Sequence, residues 1–197
     1  MTIKKLVPND ADRMTEIHMN SFKGFFLTSL GFRFLVEFYR ALLNHSLGLG
    51  VGIHYNGQLI GFAVGTTQER GFYKQLLRSN VFGLLQSALI PLFKKPSKIL
   101  YLLNSLKGGA RSYIHNSGSL LSICIDSTMQ KNGAGKKLIT AFEYELKNRG
   151  CKSVSLTTDT DNNDKVNYFY TGQGYNLIEV FTTANGRSMN LFLKELI

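Results

Sequence analysis

The chain has 197 residues, 44% of them apolar and 18% charged, which suits one globular domain with a substantial core and excludes a disordered chain. Two cysteines, Cys124 and Cys151, give neither a disulfide framework nor a CxxC pair, and four scattered histidines (His18, His45, His54, His115) lack ligand spacing, so no metal site is expected. The net charge is +10, and between Glu69 and Arg111 there are eight basic residues against Glu69 alone, a balance that attracts polyanions or phosphorylated small molecules, or is simply solvated.

The opening MTIKKLVPNDADRM has no apolar run long enough for a signal peptide, so a cytoplasmic location is expected. Residues 2–7 read as a short strand, and Pro8-Asn9-Asp10 as a turn into a helix with Met14, Ile17 and His18 on one face. A second helix fits 32–43, where Phe34, Leu35, Phe38 and Leu42 recur at helical spacing. Residues 49–54 and 58–66 form a hairpin across Asn56-Gly57. Residues 68–115 differ in character, with two expected helices (73–89 and 97–106) separated by a loop with Pro91 and Pro96.

The last third is the most regular. Residues 120–125 form a mostly apolar strand. A glycine-rich turn then opens a helix with Leu138, Ile139, Phe142 and Leu146 on one stripe, ending at Gly150. Residues 154–158 are a strand, Asp161-Asn162-Asn163 a cap for a short helix to about Gly172, and 176–183 with 188–194 a final hairpin across Ala184-Asn185-Gly186. The expected order is β-α-α-β-β-(helical insertion)-β-α-β-α-β-β, a mixed α/β chain forming one domain over 1–197, with 68–115 a basic helical insertion.

The strand at Ile123-Cys124-Ile125 runs into a turn with Gly133 and Gly135 that starts a helix. Unpaired amides at a helix start, together with the helix dipole, suit an anion such as pyrophosphate, and Lys131, Lys136 and Lys137 add positive charge. A Walker loop is excluded because position 130 is Gln and Lys137 follows Lys136; a dinucleotide GxGxxG is excluded because position 138 is Leu. What remains is Gln130-x-x-Gly133-x-Gly135, which resembles the coenzyme A signature of the GNAT acyltransferase superfamily (Arg or Gln, x, x, Gly, x, Gly or Ala). A second match lies in register: Asn163 and Tyr170 fit the superfamily's NxxAxxxY spacing, with Val166 in place of the usual Ala, and Gly174-Tyr175 stands where Gly-Phe is common.

The resemblance implies a mixed, mostly antiparallel central sheet flanked by helices, and acetyl-CoA as acyl donor. By it, pantetheine lies in a splay between the strands at 120–125 and 154–158 and pairs with Ile123 and Ile125. Pyrophosphate rests on the amides of Lys131, Asn132, Gly133, Ala134, Gly135 and Lys136, beside Gln130, and Asn163 completes the cofactor set. An amide near Cys124 or Ile125 holds the oxyanion, and Tyr170 matches the position that protonates the departing thiolate. Cys124, in an apolar strand, is read as a small buried hydrophobe rather than an acyl carrier. The base stays open. Many relatives have a glutamate where this chain has Ser119, which leaves Asp126, His115, Glu37 or a water chain to accept the ammonium proton.

The stretch Ser21-Phe22-Lys23-Gly24-Phe25-Phe26-Leu27-Thr28-Ser29-Leu30-Gly31 resembles a bacterial group of the superfamily, some of whose members are linked to surface-polysaccharide synthesis, implying a small-molecule amine acceptor such as a nucleotide- or lipid-linked amino sugar. Val81 to Phe93 is too short to span a bilayer; peripheral contact with an anionic membrane is one reading of the insertion, and a lid or dimer contact is the preferred one. Two rival functions are a non-catalytic coenzyme A-binding or regulatory module and a nucleic-acid-binding protein. No nucleic acid is expected as a partner, since no recognition motif accompanies the charge.

Overall fold

The computed structural model describes residues 1–79, 83, 116–129, 133–183 and 186–196. Its frame is a seven-stranded sheet in the order β1-β2-β3-β4-β5-β7-β6, built from β1 (Thr2–Lys5), β2 (Gly48–Tyr55), β3 (Gln58–Thr66), β4 (Ser117–Ile125), β5 (Ser153–Asp159), β6 (Asn176–Thr182) and β7 (Ser188–Glu195). Every neighbouring pair is antiparallel except β4 and β5. That parallel step needs a crossover, which helix α4 (Ala134–Asn148) supplies.

Alternation along the strands divides the core in two. Phe62 and Val64 face helices α1 (Ala11–Ser21) and α2 (Phe32–Asn44), joining Met14, Ile17, Leu35 and Leu42 in one buried cluster. Val51, Ile53 and Ala63 point the other way, onto the stripe of α4 made by Leu138, Ile139, Phe142 and Leu146. The β2–β3 hairpin turns on Asn56 and Gly57, whose φ values of 49° and 80° give the two left-handed residues that a type I′ turn requires.

Several boundaries differ from the sequence reading. The first strand ends at Lys5, and Pro8–Asp10 is a single 3₁₀ turn. Strand β4 begins at Ser117, three residues before the apolar run at Leu120, because Ser117, Gly118 and Ser119 hydrogen-bond as strand without an apolar pattern. Helix α3 begins at Phe72 and is described to Ser79 (Phe72–Ser79), with Phe72 and Leu76 fully buried in the same cluster as the inner faces of α1 and α2. The rest of the helix expected over 73–89, the one over 97–106, and Ala184-Asn185 lie outside the described residues. Among the described residues no helix is long and apolar enough to cross a membrane.

Candidate active site

The parallel pair at the centre of the sheet is incomplete. β4 and β5 are in register only at Ser117–Ser153, Gly118–Val154 and Ser119–Ser155, although β4 runs on to Ile125 and β5 to Asp159. Beyond Ser119 the two strands part, so the facing backbone groups have no partner strand. Buried peptide groups are almost always paired, and such an opening is therefore a place for an extended polar ligand. On the other edge of β4 the register with β3 slips: Gly65 pairs with Leu120 and Val64 with Ser122, leaving Leu121 as a bulge. A side chain at Gly65 would overlap the Ser119 carbonyl, so glycine permits the close approach there.

Ile123, Cys124 and Ile125 lie on the diverging part of β4, and Gly133, Ala134, Gly135 and Lys136 beyond its end. Gly133 is the N-cap of α4 with φ 69°, a left-handed residue, and no side chain among the described residues caps this end. The first turn has no acid and carries Lys136 and Lys137, both exposed. Two lysines oppose the dipole and weaken the helix start unless an anion sits there. The space over Gly135 is bounded by the Phe169 ring and Ile125 Cδ1, at 3.5 and 3.6 Å from where a Cβ would stand. The end of β4, the start of α4 and helix α5 (Asp164–Gly172) thus converge. Gln130, Lys131 and Asn132 lie outside the described residues.

Tyr170 enters from α5. Its ring is buried among Phe169, Tyr175 and Phe192, with centroids 5.3, 5.5 and 6.2 Å away. Burial, reinforced by the neighbouring Cys124, raises the phenol well above its ordinary range, so it stays protonated at every physiological pH. The Cys124 thiol is itself buried, 3.7 Å from Ser122 Oγ, and pushed up to about 12 by desolvation, which leaves it a poor nucleophile. Asn163 is the N-cap of α5, yet its side chain does not cap the helix. Its Nδ2 donates to the Asp159 carbonyl at 3.2 Å, and Asn167 Nδ2 donates to the same oxygen.

Of the bases considered from sequence, His115 lies outside the described residues and two others are engaged. Asp126 accepts from Thr128 N and Oγ1 at 3.1 and 2.9 Å and pairs with Arg13 at 2.9 Å; the Thr128 bonds, then Arg13, hold it below the usual carboxylate range. Glu37 pairs with Arg40 at 3.1 Å. The carboxylate that the sequence did not single out is Glu69, just past β3. It lies in a cavity of about 100 Å³ at the closed end of the opening, with Tyr73, Ser119, Leu121, Ser155 and Thr157. Ser155 Oγ lies 3.4 Å from Glu69 Oε2 and 3.3 Å from the Gly118 carbonyl, and Ser119 lines the same cavity.

At the other end of the opening, an open groove of about 380 Å³ is lined by Lys23, Gly24, Phe25, Phe26 and Arg187. Ser21 Oγ reaches the Ile125 carbonyl at 3.5 Å, which sets the end of α1 beside the end of β4.

The sequence matches the Acetyltransferase (GNAT) family over residues 11–175. Nothing matches among curated proteins. Solved structures share the fold: the ribosomal-protein-S18-alanine N-acetyltransferase from Escherichia coli (15% identity, 99% of this chain and 93% of that one, TM-score 0.61), the aminoglycoside 6'-N-acetyltransferase from Enterococcus faecium (17%, 100% and 98%, 0.61), and an aminoglycoside 6'-N-acetyltransferase complexed with coenzyme A (16%, 100% and 98%, 0.65). The chain belongs to the GNAT family of acetyltransferases, enzymes whose acyl donor is acetyl-CoA. The mixed, mostly antiparallel sheet with flanking helices is the fold that the sequence resemblance implied.

Proposed function

We propose that this enzyme transfers the acetyl group of acetyl-CoA directly to a primary amine, with the β4–β5 opening as the donor seat and Tyr170 as the acid. The observation that carries the reading is the loss of β4–β5 pairing after Ser119 and Ser155, beside a doubly basic start of α4 that no side chain among the described residues caps, and the buried Tyr170 phenol. Pantetheine amides pair with the free edge of β4 at Ile123 and Ile125, beside Cys124. Pyrophosphate rests on the turn from Gln130 through Lys131, Asn132, Gly133, Ala134 and Gly135 to Lys136, with Asn163 fixing the end of β5 beside the cofactor. The amine nitrogen attacks the thioester carbonyl, a β4 amide holds the oxyanion, and Tyr170 gives its proton to the departing sulfur.

The acceptor is an amino sugar, nucleotide- or lipid-linked. The groove pairs the flat faces of Phe25 and Phe26 with the charges of Lys23 and Arg187, and rings with polar rims suit such walls. Aminoglycoside acetyltransferases share the fold. The chain works as one domain in the cytoplasm, and segment 68–115 serves as a lid or dimer contact. Thiol release from acetyl-CoA, screened against amino sugars, polyamines and peptides, tests the reading. Amine-dependent thiol release from amino sugars supports it; coenzyme A binding with no turnover on any amine leaves a binding module instead.

A further inference from the structure

Glu69 stands where a catalytic carboxylate would be most useful, and no other role is evident for it. It is half-buried just beyond β3, in the closed end of the same opening whose walls are Leu120, Leu121 and Thr157. The two hydroxyls beside it come from the last paired residues of the two diverging strands: Ser155 of β5, whose Oγ donates to it at 3.4 Å, and Ser119 of β4, which lines the same cavity. Among the described residues no Lys, Arg or His forms an ion pair with it. A half-buried carboxylate paired only with hydroxyls is costly to maintain for stability alone. From α3 the facing titratable group is Tyr73, a part-buried phenol held neutral well above its usual range by desolvation; β4 and β5 offer only hydroxyl and apolar side chains at the cavity.

Resting on the acetyl-transfer reading, we infer that Glu69 is the general base that takes the proton from the acceptor ammonium at the closed end of the β4–β5 opening. The ammonium gives one proton to the Glu69 carboxylate. The freed nitrogen lone pair then forms the N–C bond, the C–S bond breaks, and the sulfur takes a proton from Tyr170. Tyr170 recovers its proton from the acetylated nitrogen, which must shed one to become an amide, and Glu69 releases its own proton to water. The sum is ammonium plus acetyl-CoA giving amide, free thiol and one proton. Desolvation, opposed by the nearby Ser119 and Ser155 hydroxyls, raises the Glu69 carboxyl above its usual range and makes it a better proton acceptor.

The test is Glu69→Gln, which keeps the volume and the serine contacts, measured on an amine that the wild-type enzyme acetylates. The expected result is a fall of roughly 100-fold or more in kcat/KM at neutral pH, with acetyl-CoA affinity and melting temperature retained. The variant should then climb about tenfold per pH unit in alkaline buffer, as the amine sheds its own proton near pH ~10. Returning a carboxylate from the facing strand, Ser119→Glu in the Glu69→Gln background, should recover part of the loss. A Glu69→Gln enzyme with wild-type kcat/KM and an unchanged acidic limb overturns the inference while leaving acetyl transfer intact. A wild-type enzyme that acetylates no amine overturns both. If Glu69→Gln does not fold, Ser155→Ala decides: losing one bond to the carboxylate should shift the acidic limb upward, and an unmoved limb counts against Glu69.

Discussion

Arg187 holds Asp159 through three hydrogen bonds, from Nη2 to both carboxylate oxygens at 2.6 and 2.8 Å and from Nε at 3.1 Å, while its Cζ lies 5.6 Å from the centre of the Phe25 ring. One guanidinium thus ties the end of β5 to the loop after α1 and to the β6–β7 hairpin. A fork-shaped pair of this kind fixes geometry more than it adds energy, especially when part-exposed.

Arg187→Ala should therefore act on the acceptor and not on the donor. KM for the amine is expected to rise about tenfold, the worth of one lost polar contact. The acetyl-CoA dissociation constant should stay unchanged, and the melting temperature should fall by no more than a few degrees. Steady-state kinetics with each substrate varied in turn checks this. A donor affinity that falls with the acceptor's would show that the clamp shapes the whole opening.

Gly135→Glu probes the anion seat. A Cβ at Gly135 meets Phe169 and Ile125 at ordinary contact distances, so the fold tolerates a side chain. A carboxylate at the second residue of α4 would complement the helix dipole while repelling pyrophosphate. Coenzyme A affinity should drop roughly 100-fold or more, with melting temperature kept or raised. Calorimetric titration showing wild-type affinity would remove the turn from the cofactor site.

The turn was legible in sequence because strand, glycine pair and helix are consecutive, and local pattern is what sequence periodicity reports. Tyr170 and Asn163 were legible through spacing within one short helix, though the bond from Asn163 to Asp159 was not. Glu69 was invisible for the opposite reason: its partner Ser155 lies 86 positions away, and only the sheet order brings them together. The same holds for Asp126, which looked free until Arg13, 113 positions earlier, was seen to pair with it. The first three residues of β4 carried no apolar signal, yet they are the ones that close the opening.

His18 gives the fold an acid-side weakness. Its ring is buried, with Nδ1 2.6 Å from Tyr39 Oη and Nε2 without a partner among the described residues, and desolvation lowers it from about 6.5 to about 4. A lowered value means that the unfolded chain takes the proton first. The contribution is whole above pH ~6.5 and is lost as pH falls toward about 4, at up to about 1.4 kcal/mol per pH unit. Urea melts across that window should show the slope, and His18→Asn should flatten it. Equal slopes in the two proteins would place the weakness elsewhere.

Tyr170→Phe tests most directly whether the opening is a reaction site or only a seat for the cofactor. The change removes one hydroxyl and leaves the ring among Phe169, Tyr175 and Phe192. A positioned acid is worth about 10²–10⁴ in rate, so kcat for amine acetylation should fall by that factor. The acetyl-CoA dissociation constant, measured by calorimetry on the same protein, should hold within about twofold, a difference of about 0.4 kcal/mol. That split places the hydroxyl in the chemistry. A Tyr170→Phe enzyme with wild-type kcat would contradict it.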